Sequence, residues 1–339
     1  MENKKLKVAL LLNKEMSNNV LNEDILNYLH TFAETTDLCL LPEQLDEDCA
    51  ADLLAGADAC ITCWGTPKIT EKVLSGAPNL KIIAHSAGSV KSLVCDKVWE
   101  RNIKVSSAAP IIAKDVAETT LGAMIISQKR LWSLIFKTRN GIWDEENPDF
   151  EVKRRLYKTK IGIVGASAVG RNLINYLKPF NVSILLYDPF VSEEDAQKLN
   201  VTKVSLDQLM AESDVVTLHA PALPATNKMI NKDNLALMRD GAVLINTARG
   251  TLIDEPALVK ELETGRIFAF LDVTDPEPPS ADSPLFRLDN VILTPHIAGG
   301  HTKNGRYEMG EFAAQQVYKC LTGSALDFEI TEKMLLTIA

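Results

Sequence analysis

The chain has 339 residues, a formal net charge of −9 at pH 7 and 46% hydrophobic residues. This length favours two domains over one, because single hydrophobic cores stop growing near about 250–300 residues. The acidic balance disfavours nucleic acid and anionic membrane surfaces as partners, since both repel a negatively charged protein. The longest apolar segment, residues 119–136, is interrupted by charged residues. We therefore predict no membrane span and a cytoplasmic location.

Short apolar runs alternate with helical periodicity along the chain, which is typical of α/β proteins with parallel sheets. The first run is too short for a secretion signal and lacks a cleavage site, so it predicts a strand. Strands are predicted at residues 6–13, 37–41, 57–63, 80–85 and 103–107, and a helix at 21–34. One long helix is predicted from about 112 to 137, followed by a polar arm at 141–150.

A second α/β unit is predicted after the arm. Its strands are expected at residues 160–165, 183–188, 215–219, 242–246, 267–273 and 290–295. Helices are expected at 168–178, 231–239 and 255–264, with a final helix at 302–321. The predicted fold class is therefore α/β, with two doubly wound parallel-sheet domains of the Rossmann or flavodoxin-like type.

Six cysteines occur, and Cys60 and Cys63 form a C-x-x-C sequence. This spacing could indicate a redox pair or half of a zinc site. However, it falls within an apolar strand-like run, and no second Cys/His pair stands at metal-ligand spacing. We expect reduced, packed thiols and no metal site.

A dinucleotide-binding turn is indicated where the second unit begins. Gly165 and Gly170 fill the first and third glycine places of G-x-G-x-x-G after a strand, while Ser167 fills the second. Serine is small and its hydroxyl can donate to a phosphate. Asp188 ends the next strand, 188 − 165 = 23 positions later, where a carboxylate binds ribose hydroxyls and favours NAD over NADP. The alternative is that Asp188 only caps a turn before Pro189.

Three later segments complete a recognisable pattern: NTARG at 246–250, DPEP at 275–278 and PHI at 295–297. With the glycine turn and VVTLHAP at 215–221, they resemble the D-isomer-specific 2-hydroxyacid dehydrogenase family. The resemblance covers nearly the whole chain and is strongest from residue 160 to 302. It implies that Arg249, Glu277 and His296 form the active site.

The chemistry of those three residues fits oxidation of a 2-hydroxy acid. A histidine such as His296 can take the hydroxyl proton and return it in the reverse direction. Glu277 beside it would favour the protonated imidazole and hold one ring orientation. Arg249 is planar and permanently charged, and can bind carboxylate and carbonyl oxygens. Each residue alone would more often be a structural or solvated group; the ordered set carries the prediction.

The resemblance also implies the remaining contacts to NAD. Ala168 and Val169 would face the pyrophosphate, and His219 and Pro221 would line the adenine side. Thr247, Ala248 and Asp272 would lie near the ribose and the nicotinamide carboxamide. Arg249, His296, Ala298 and Gly299 would approach the nicotinamide. For His219, packing at a strand end stays an alternative.

The segment HSAGSVKS at 85–92 resembles the loop whose backbone amides hold the substrate carboxylate, here Ser86, Ala87 and Gly88. Val90 and Lys91 depart from the family pattern, which puts the substrate in doubt. Lys91 could attract a phosphate or second carboxylate, or it could be a solvated lysine. Glu118 matches the start of the helix that links the domains, and we expect a structural role for it.

The resemblance implies a discontinuous architecture. Residues 1–112 and 302–339 would form a substrate-binding domain, and residues 113–301 an NAD-binding domain, with the active site in the cleft between them. The helix and arm at about 113–150 resemble the family's dimerisation element, so a homodimer is expected. The alternative function is an NAD-sensing corepressor-like binding protein of the same fold, which the intact catalytic set and the absence of a basic arm disfavour.

Overall fold

The computed structural model describes residues 5–37, 41–143 and 155–336. The chain divides into two compact units, a first unit of residues 1–112 with 300–339 and a second unit of residues 113–299. The strands are β1 Leu6–Leu11, β2 Ala33–Thr35, β3 Ala59–Thr62, β4 Ile82–His85, β5 Lys104–Ser107, β6 Lys160–Val164, β7 Ser183–Tyr187, β8 Thr202–Lys203, β9 Val215–Leu218, β10 Val243–Asn246, β11 Phe268–Leu271 and β12 Val291–Leu293.

The helices alternate with these strands along the chain. They are α1 Lys14–Val20, α2 Glu23–His30, α3 Glu47–Leu54, α4 Glu71–Ser75, α5 Asp96–Glu100, α6 Ala109–Gln128, α7 Leu131–Arg139, α8 Ala168–Leu177, α9 Glu193–Leu199, α10 Leu206–Glu212, α11 Lys232–Leu235, α12 Glu255–Glu263 and α13 Lys303–Leu321. No helix of the described segments is long and apolar enough to cross a membrane.

The first unit contains a five-stranded parallel sheet in the order β2-β1-β3-β4-β5. Side chains alternate between its faces, so Val8 and Leu10 of β1 join one core and Ala9 and Leu11 the other. Residues of α2 and α13 cover the first face, and residues of α3, α4 and α5 cover the second. Both faces are therefore buried, as parallel sheets require.

The second unit contains a seven-stranded parallel sheet in the order β12-β11-β10-β9-β6-β7-β8. Strand β6 pairs with β7 on one side and with β9 on the other, so the strand order reverses beside it. Ligands of doubly wound sheets bind at the carboxyl ends of the strands next to such a reversal. The predicted fold class, two doubly wound parallel sheets, is confirmed.

Two predicted helices of the first half of the chain were wrong in extent. The helix predicted at 21–34 is the shorter α2, because the side chain of Asn22 caps its start and the chain already forms β2 at Ala33–Thr35. Helix α1, which the side chain of Asn13 caps, precedes it and was not predicted. The strand predicted at 37–41 falls mainly on residues 38–40, which lie outside the described segments, and β2 precedes it at Ala33–Thr35.

The long helix predicted at 112–137 is also wrong, because the chain breaks between α6 and α7 at Arg130. This residue has a φ of 53°, in the left-handed region, and ends the helix there. Its guanidinium donates to the carbonyl oxygens of Ser127 and Gly241 and lies 3.4 Å over the ring of Phe268. Tertiary contacts therefore stabilise the break. Residues 144–150 of the predicted arm lie outside the described segments.

Candidate active site

The turn after β6 has the close approaches that its glycines permit. Gly165 has a φ of +96°, and a Cβ there would lie 2.8 Å from the backbone nitrogen of Ala220. A Cβ on Gly170 would collide with the carbonyl oxygen of Gly165. Both positions therefore require glycine, for the turn and for the packing of helix on strand.

Ser167 occupies the second fingerprint place without backbone strain. Its φ is −61°, which any residue adopts, and its hydroxyl accepts a hydrogen bond from the N–H of Gly170 as the N-cap of α8. The N–H groups of Ser167, Ala168 and Val169 have no hydrogen-bond partner among the described residues. A helix start with open amides fits a pyrophosphate.

Asp188, just after β7, is fixed by two backbone amides. Its Oδ2 accepts from the N–H of Ala166 at 2.8 Å, and its Oδ1 accepts from the N–H of Phe190 at 2.8 Å. The carboxylate therefore lies beside the glycine turn, at the carboxyl end of the neighbouring strand. This is the position from which a carboxylate reaches an adenosine ribose.

His219 follows β9 and is 4% exposed. Its Nε2 is 3.0 Å from the hydroxyl of Thr217, while its buried Nδ1 has no hydrogen-bond partner in the described part of the chain. Burial lowers the pKa of His219 to about 3, so the ring is neutral. An orphaned buried nitrogen beside the glycine turn fits a site completed by a cofactor. Pro221 is near, its carbonyl oxygen accepting from Thr226.

Arg249 lies in a tight turn after β10, residues 246–249. The side-chain amide of Asn246 accepts from the N–H of Ala248 at 3.0 Å and donates to the carbonyl oxygen of Arg249 at 2.9 Å. Burial lowers the pKa of the Arg249 guanidinium, and the nearby charge of Glu277 opposes that shift. The turn therefore holds a partly desolvated cation near the carboxylate of Glu277.

Asp272, after β11, organises the loop of residues 294–298 that carries His296. Its carboxylate is 2% exposed and accepts from the hydroxyl of Thr294 at 2.6 Å and from the N–H groups of Ile297 and Ala298, each at 2.9 Å. Its carbonyl oxygen accepts from the N–H of His296 at 2.8 Å. His296 has a φ of 54°, a left-handed conformation that this surrounding set of bonds stabilises.

Glu277 and His296 are in direct contact. The Oε1 of Glu277 lies 2.6 Å from the Nδ1 of His296, and both side chains are more than 40% exposed. Because a carboxylate only accepts, Nδ1 carries the proton of this bond and Nε2 is left for exchange. The two residues also line a cavity of about 760 Å³ together with Trp132 and Phe136 of α7.

Two adjacent threonines of α6 form hydrogen bonds with the loop that carries His296 and with the turn that carries Arg249. Sequence reasoning missed both threonines. The hydroxyl of Thr119 donates to the carbonyl oxygen of Ala298 at 2.9 Å. The hydroxyl of Thr120 donates to the carbonyl oxygen of Val116 at 2.8 Å and lies 2.9 Å from the hydroxyl of Thr247, from which it can accept. Thr120 is fully buried, and buried polar side chains need hydrogen-bond partners; that was the available signal.

In the first unit, the Ser86–Gly88 loop follows β4. Ser86 donates from both its N–H and its hydroxyl to the carbonyl oxygen of Thr62, at 2.7 and 2.8 Å. The N–H groups of Ala87 and Gly88 have no hydrogen-bond partner among the described residues. Open amides at a strand end are the feature expected of a carboxylate-binding loop.

The departures from the family pattern in this loop have different structural meanings. Val90 is fully buried in the core of the first unit, so its identity reflects packing. Lys91 is exposed. Cys60 and Cys63 point to opposite faces of β3, each into a separate core. Burial raises the pKa of Cys63 to about 11, as expected for a packed thiol.

The second unit thus brings the sequence-predicted catalytic and cofactor residues to the carboxyl ends of its strands. They follow β6, β7, β9, β10, β11 and β12, as Gly165 to Gly170, Asp188, His219 with Pro221, Thr247 to Arg249, Asp272 with Glu277, and His296 with Ala298 and Gly299. The three predicted substrate-loop residues lie in the first unit.

The chain is similar in sequence to known dehydrogenases. Residues 121–298 match the model of the D-isomer specific 2-hydroxyacid dehydrogenase, NAD binding domain. The chain is 36% identical to a glyoxylate reductase of Thermofilum pendens over 78% of each protein. It is 32% identical to a D-3-phosphoglycerate dehydrogenase of Methanocaldococcus jannaschii over 89% of this chain, but it spans only 56% of that relative.

The fold has solved counterparts. A phosphoglycerate oxidoreductase from Rhizobium etli superposes with a TM-score of 0.81 over 96% of this chain and 99% of that one, at 21% identity. The matched NAD-binding domain and the dehydrogenase relatives identify the cofactor as NAD(H). The open amides at the start of α8 and the buried Nδ1 of His219 fit such a cofactor. The chain belongs to the D-isomer-specific 2-hydroxyacid dehydrogenase family.

Proposed function

We propose that the protein is an NAD-dependent oxidoreductase that interconverts a small D-2-hydroxy acid and its 2-keto acid. The observation that carries the proposal is the 2.6 Å contact between Glu277 and His296, on the sheet edge that also holds Arg249 and the dinucleotide turn. A proton carrier, a fixed cation and a nicotinamide site are the three parts that this reaction needs.

The residues divide the work in a definite way. In the oxidation direction, the Nε2 of His296 takes the hydroxyl proton of the 2-hydroxy acid. Glu277 accepts the Nδ1 proton and stabilises the imidazolium that forms. Arg249 binds the carboxylate and the carbonyl oxygen that develops at C2. When bound, the nicotinamide supplies the acceptor for the hydride that leaves C2, so the products are the 2-keto acid, NADH and a proton.

Cofactor preference follows from Asp188. Both of its carboxylate oxygens are held by backbone amides, so its charge is fixed beside the glycine turn, where we expect the ribose 2′-hydroxyl of NAD. A 2′-phosphate at that position would be repelled. We propose a preference for NADH over NADPH, and that the open amides of Ala87 and Gly88 hold the substrate carboxylate.

We also propose that the chain is a homodimer located in the cytoplasm. None of the residues of α7 is buried, and Trp132, Ile135 and Phe136 are about half exposed. An apolar helix face of this kind favours association with a second copy. Light scattering after size exclusion should give twice the chain mass, and Phe136→Glu should shift it toward one chain. A monomeric wild type would contradict the dimer.

The experiment for the activity follows nicotinamide absorbance with a panel of 2-keto acids, using NADH and NADPH in turn. We expect turnover with NADH that falls about 10²–10⁴-fold in His296→Gln and about 10²–10³-fold in Arg249→Gln. The matched control is His301→Gln, because His301 is exposed and lies outside the site.

Two outcomes would contradict the proposal. Unchanged turnover in the His296 and Arg249 variants would remove the catalytic assignment. NADH binding without turnover of any 2-keto acid would favour the corepressor-like alternative, in which the dinucleotide fold only senses NAD.

A further inference from the structure

An aromatic–guanidinium pair stands at the carboxyl end of β3 in the first unit. Trp64 is the second residue after that strand and is 38% exposed. The guanidinium carbon of Arg306, in the first turn of α13, lies 5.9 Å from the indole ring. Gly300 has a φ of +73°, and a Cβ there would lie 2.7 Å from the indole. The backbone at Gly300 thus packs against the ring.

The backbone holds Arg306 in place, and the described residues supply no ion-pair partner for it. Its Nε donates to the carbonyl oxygen of Gly300 at 2.7 Å. No carboxylate of the described residues lies within ion-pair distance of it. A guanidinium has five N–H donors in a planar fork that matches carboxylate and phosphate oxygens. The remaining donors of Arg306 are thus available to an anion.

This pair lies near the Ser86–Gly88 loop. Strands β3 and β4 are paired in parallel, with Thr62 opposite His85, so Trp64 and the loop leave the same edge of the sheet. The thiol of Cys63 donates to the carbonyl oxygen of Ser86 at 3.2 Å. The charge of Arg306 reaches the same thiol, since it lowers the pKa of Cys63 against the larger effect of burial. Cys63 therefore lies close to both the Ser86–Gly88 loop and the guanidinium of Arg306.

We propose that Trp64 and Arg306 form a second anion subsite, which selects 2-keto acids that carry another anionic group beyond the keto carbon. The inference rests on the proposed function, because the open amides of Ala87 and Gly88 must hold the 2-carboxylate. The second group is a phosphoester or a carboxylate; both offer the coplanar oxygen pairs that a guanidinium binds. In a chain of net charge −9, such substrates need a local fixed cation.

Lys91 is the other cation near this loop that could attract the second anionic group, so it serves as the control for Arg306. It follows the same loop, but it is exposed and its ammonium is a flexible point charge. A general attraction of anions to this edge would depend on Lys91 as much as on Arg306. A subsite built by the indole and the carbonyl oxygen of Gly300 depends on Arg306 alone.

The test compares substrates that differ only in the second charge. With saturating NADH, kcat/KM is measured for 3-phosphohydroxypyruvate against hydroxypyruvate, and for oxaloacetate against 2-oxobutyrate. In one of the two pairs, we expect kcat/KM of the substrate with the second anionic group to exceed that of its singly charged partner by at least about 10-fold. The pair that shows this ratio tells whether the subsite takes a phosphoester or a carboxylate. Arg306→Gln should reduce that ratio at least about 10-fold, Arg306→Lys less, and Lys91→Gln less than twofold.

The inference is overturned if the wild type shows no such ratio in either pair, or if Arg306→Gln retains it while its melting temperature is unchanged. If no 2-keto acid is turned over, the proposed function fails and the subsite is judged by binding. Titration with 3-phosphoglycerate or malate should then change indole fluorescence saturably, and Trp64→Phe and Arg306→Gln should each remove that change. A titration without any change overturns the subsite.

Discussion

The two units end their parallel strands in differently built edges. In the second unit, the carboxylate of Asp272 alone accepts three hydrogen bonds from the loop that carries His296, and Thr119 holds the same loop from α6. In the first unit, the amides of Ala87 and Gly88 and the guanidinium of Arg306 keep open donors. Chemistry needs loops held to a fraction of an ångström, whereas recognition needs donors left for the ligand. We therefore propose that the second unit carries a catalytic edge and the first unit a recognition edge.

The largest effect on kcat and on stability is expected from the loss of the Asp272 carboxylate, which accepts three hydrogen bonds from the loop that carries His296. Asp272→Ala would remove the acceptor of the N–H groups of Ile297 and Ala298, of which Ala298 is buried, and free the left-handed backbone at His296. We expect kcat to fall by about 100-fold or more and the free energy of unfolding by about 3–5 kcal/mol. Steady-state kinetics and urea unfolding measure the two effects.

The control for this variant is Asp282→Ala, since Asp282 is exposed in a loop of the same unit. It should leave both quantities within experimental error. An Asp272→Ala enzyme that keeps half of its turnover would show that the loop carrying His296 holds its shape without the carboxylate. The proposed difference between a fixed edge in the second unit and an open edge in the first would then be contradicted.

A second effect comes from one buried histidine in each unit. Burial lowers the pKa of His85 to about 4 and that of His219 to about 3. The unfolded chain binds these protons near pH 6.5, so the unfolded state holds more protons below that pH and stability falls as the pH drops. Stability from these groups is complete above about pH 6.5 and is lost progressively toward pH 4. At pH 5 the loss is about 2 kcal/mol for each histidine.

Urea unfolding at pH 7 and pH 5 measures this dependence. His85→Asn should flatten the slope of unfolding free energy against pH, because an amide can keep the bond to the hydroxyl of Thr62 without titrating. His301→Asn, at an exposed position, should leave the slope as in the wild type. Equal slopes in all three proteins would exclude His85 as a source of acid sensitivity.

The smallest effect on kcat and stability is expected from the hydrogen bond that Thr119 of α6 donates to the loop carrying His296. Thr119→Val removes the bond to the carbonyl oxygen of Ala298, two residues after His296. We expect a loss of about 1 kcal/mol in unfolding free energy and a fall in kcat of roughly 3–10-fold. Thr119→Ser keeps the hydroxyl and should restore kcat. If serine and valine behave alike, the methyl packing matters and the hydrogen bond does not.

The sequence predicted the architecture well because parallel strands buried on both faces are short apolar runs. The ordered motifs also located Arg249, Glu277 and His296 on one sheet, since each follows a strand of that sheet. Motifs and periodicity report burial and local turns, but not tertiary partners. The bonds of Asp272, the left-handed backbone at His296 and the break at Arg130 depend on residues distant in sequence, and none could be read from local pattern.

The discontinuity of the first unit has a consequence for how the chain folds during synthesis. Ala313, Ala314 and Val317 of α13 complete the core over one face of its sheet, and the backbone at Gly310 packs against the carbonyl oxygen of Val20. That face lacks the part of its cover that α13 supplies until residues 303–321 have left the ribosome, while the second unit is already continuous in the nascent chain. Domains usually fold in order of emergence; here we expect the unit that is translated first to finish last.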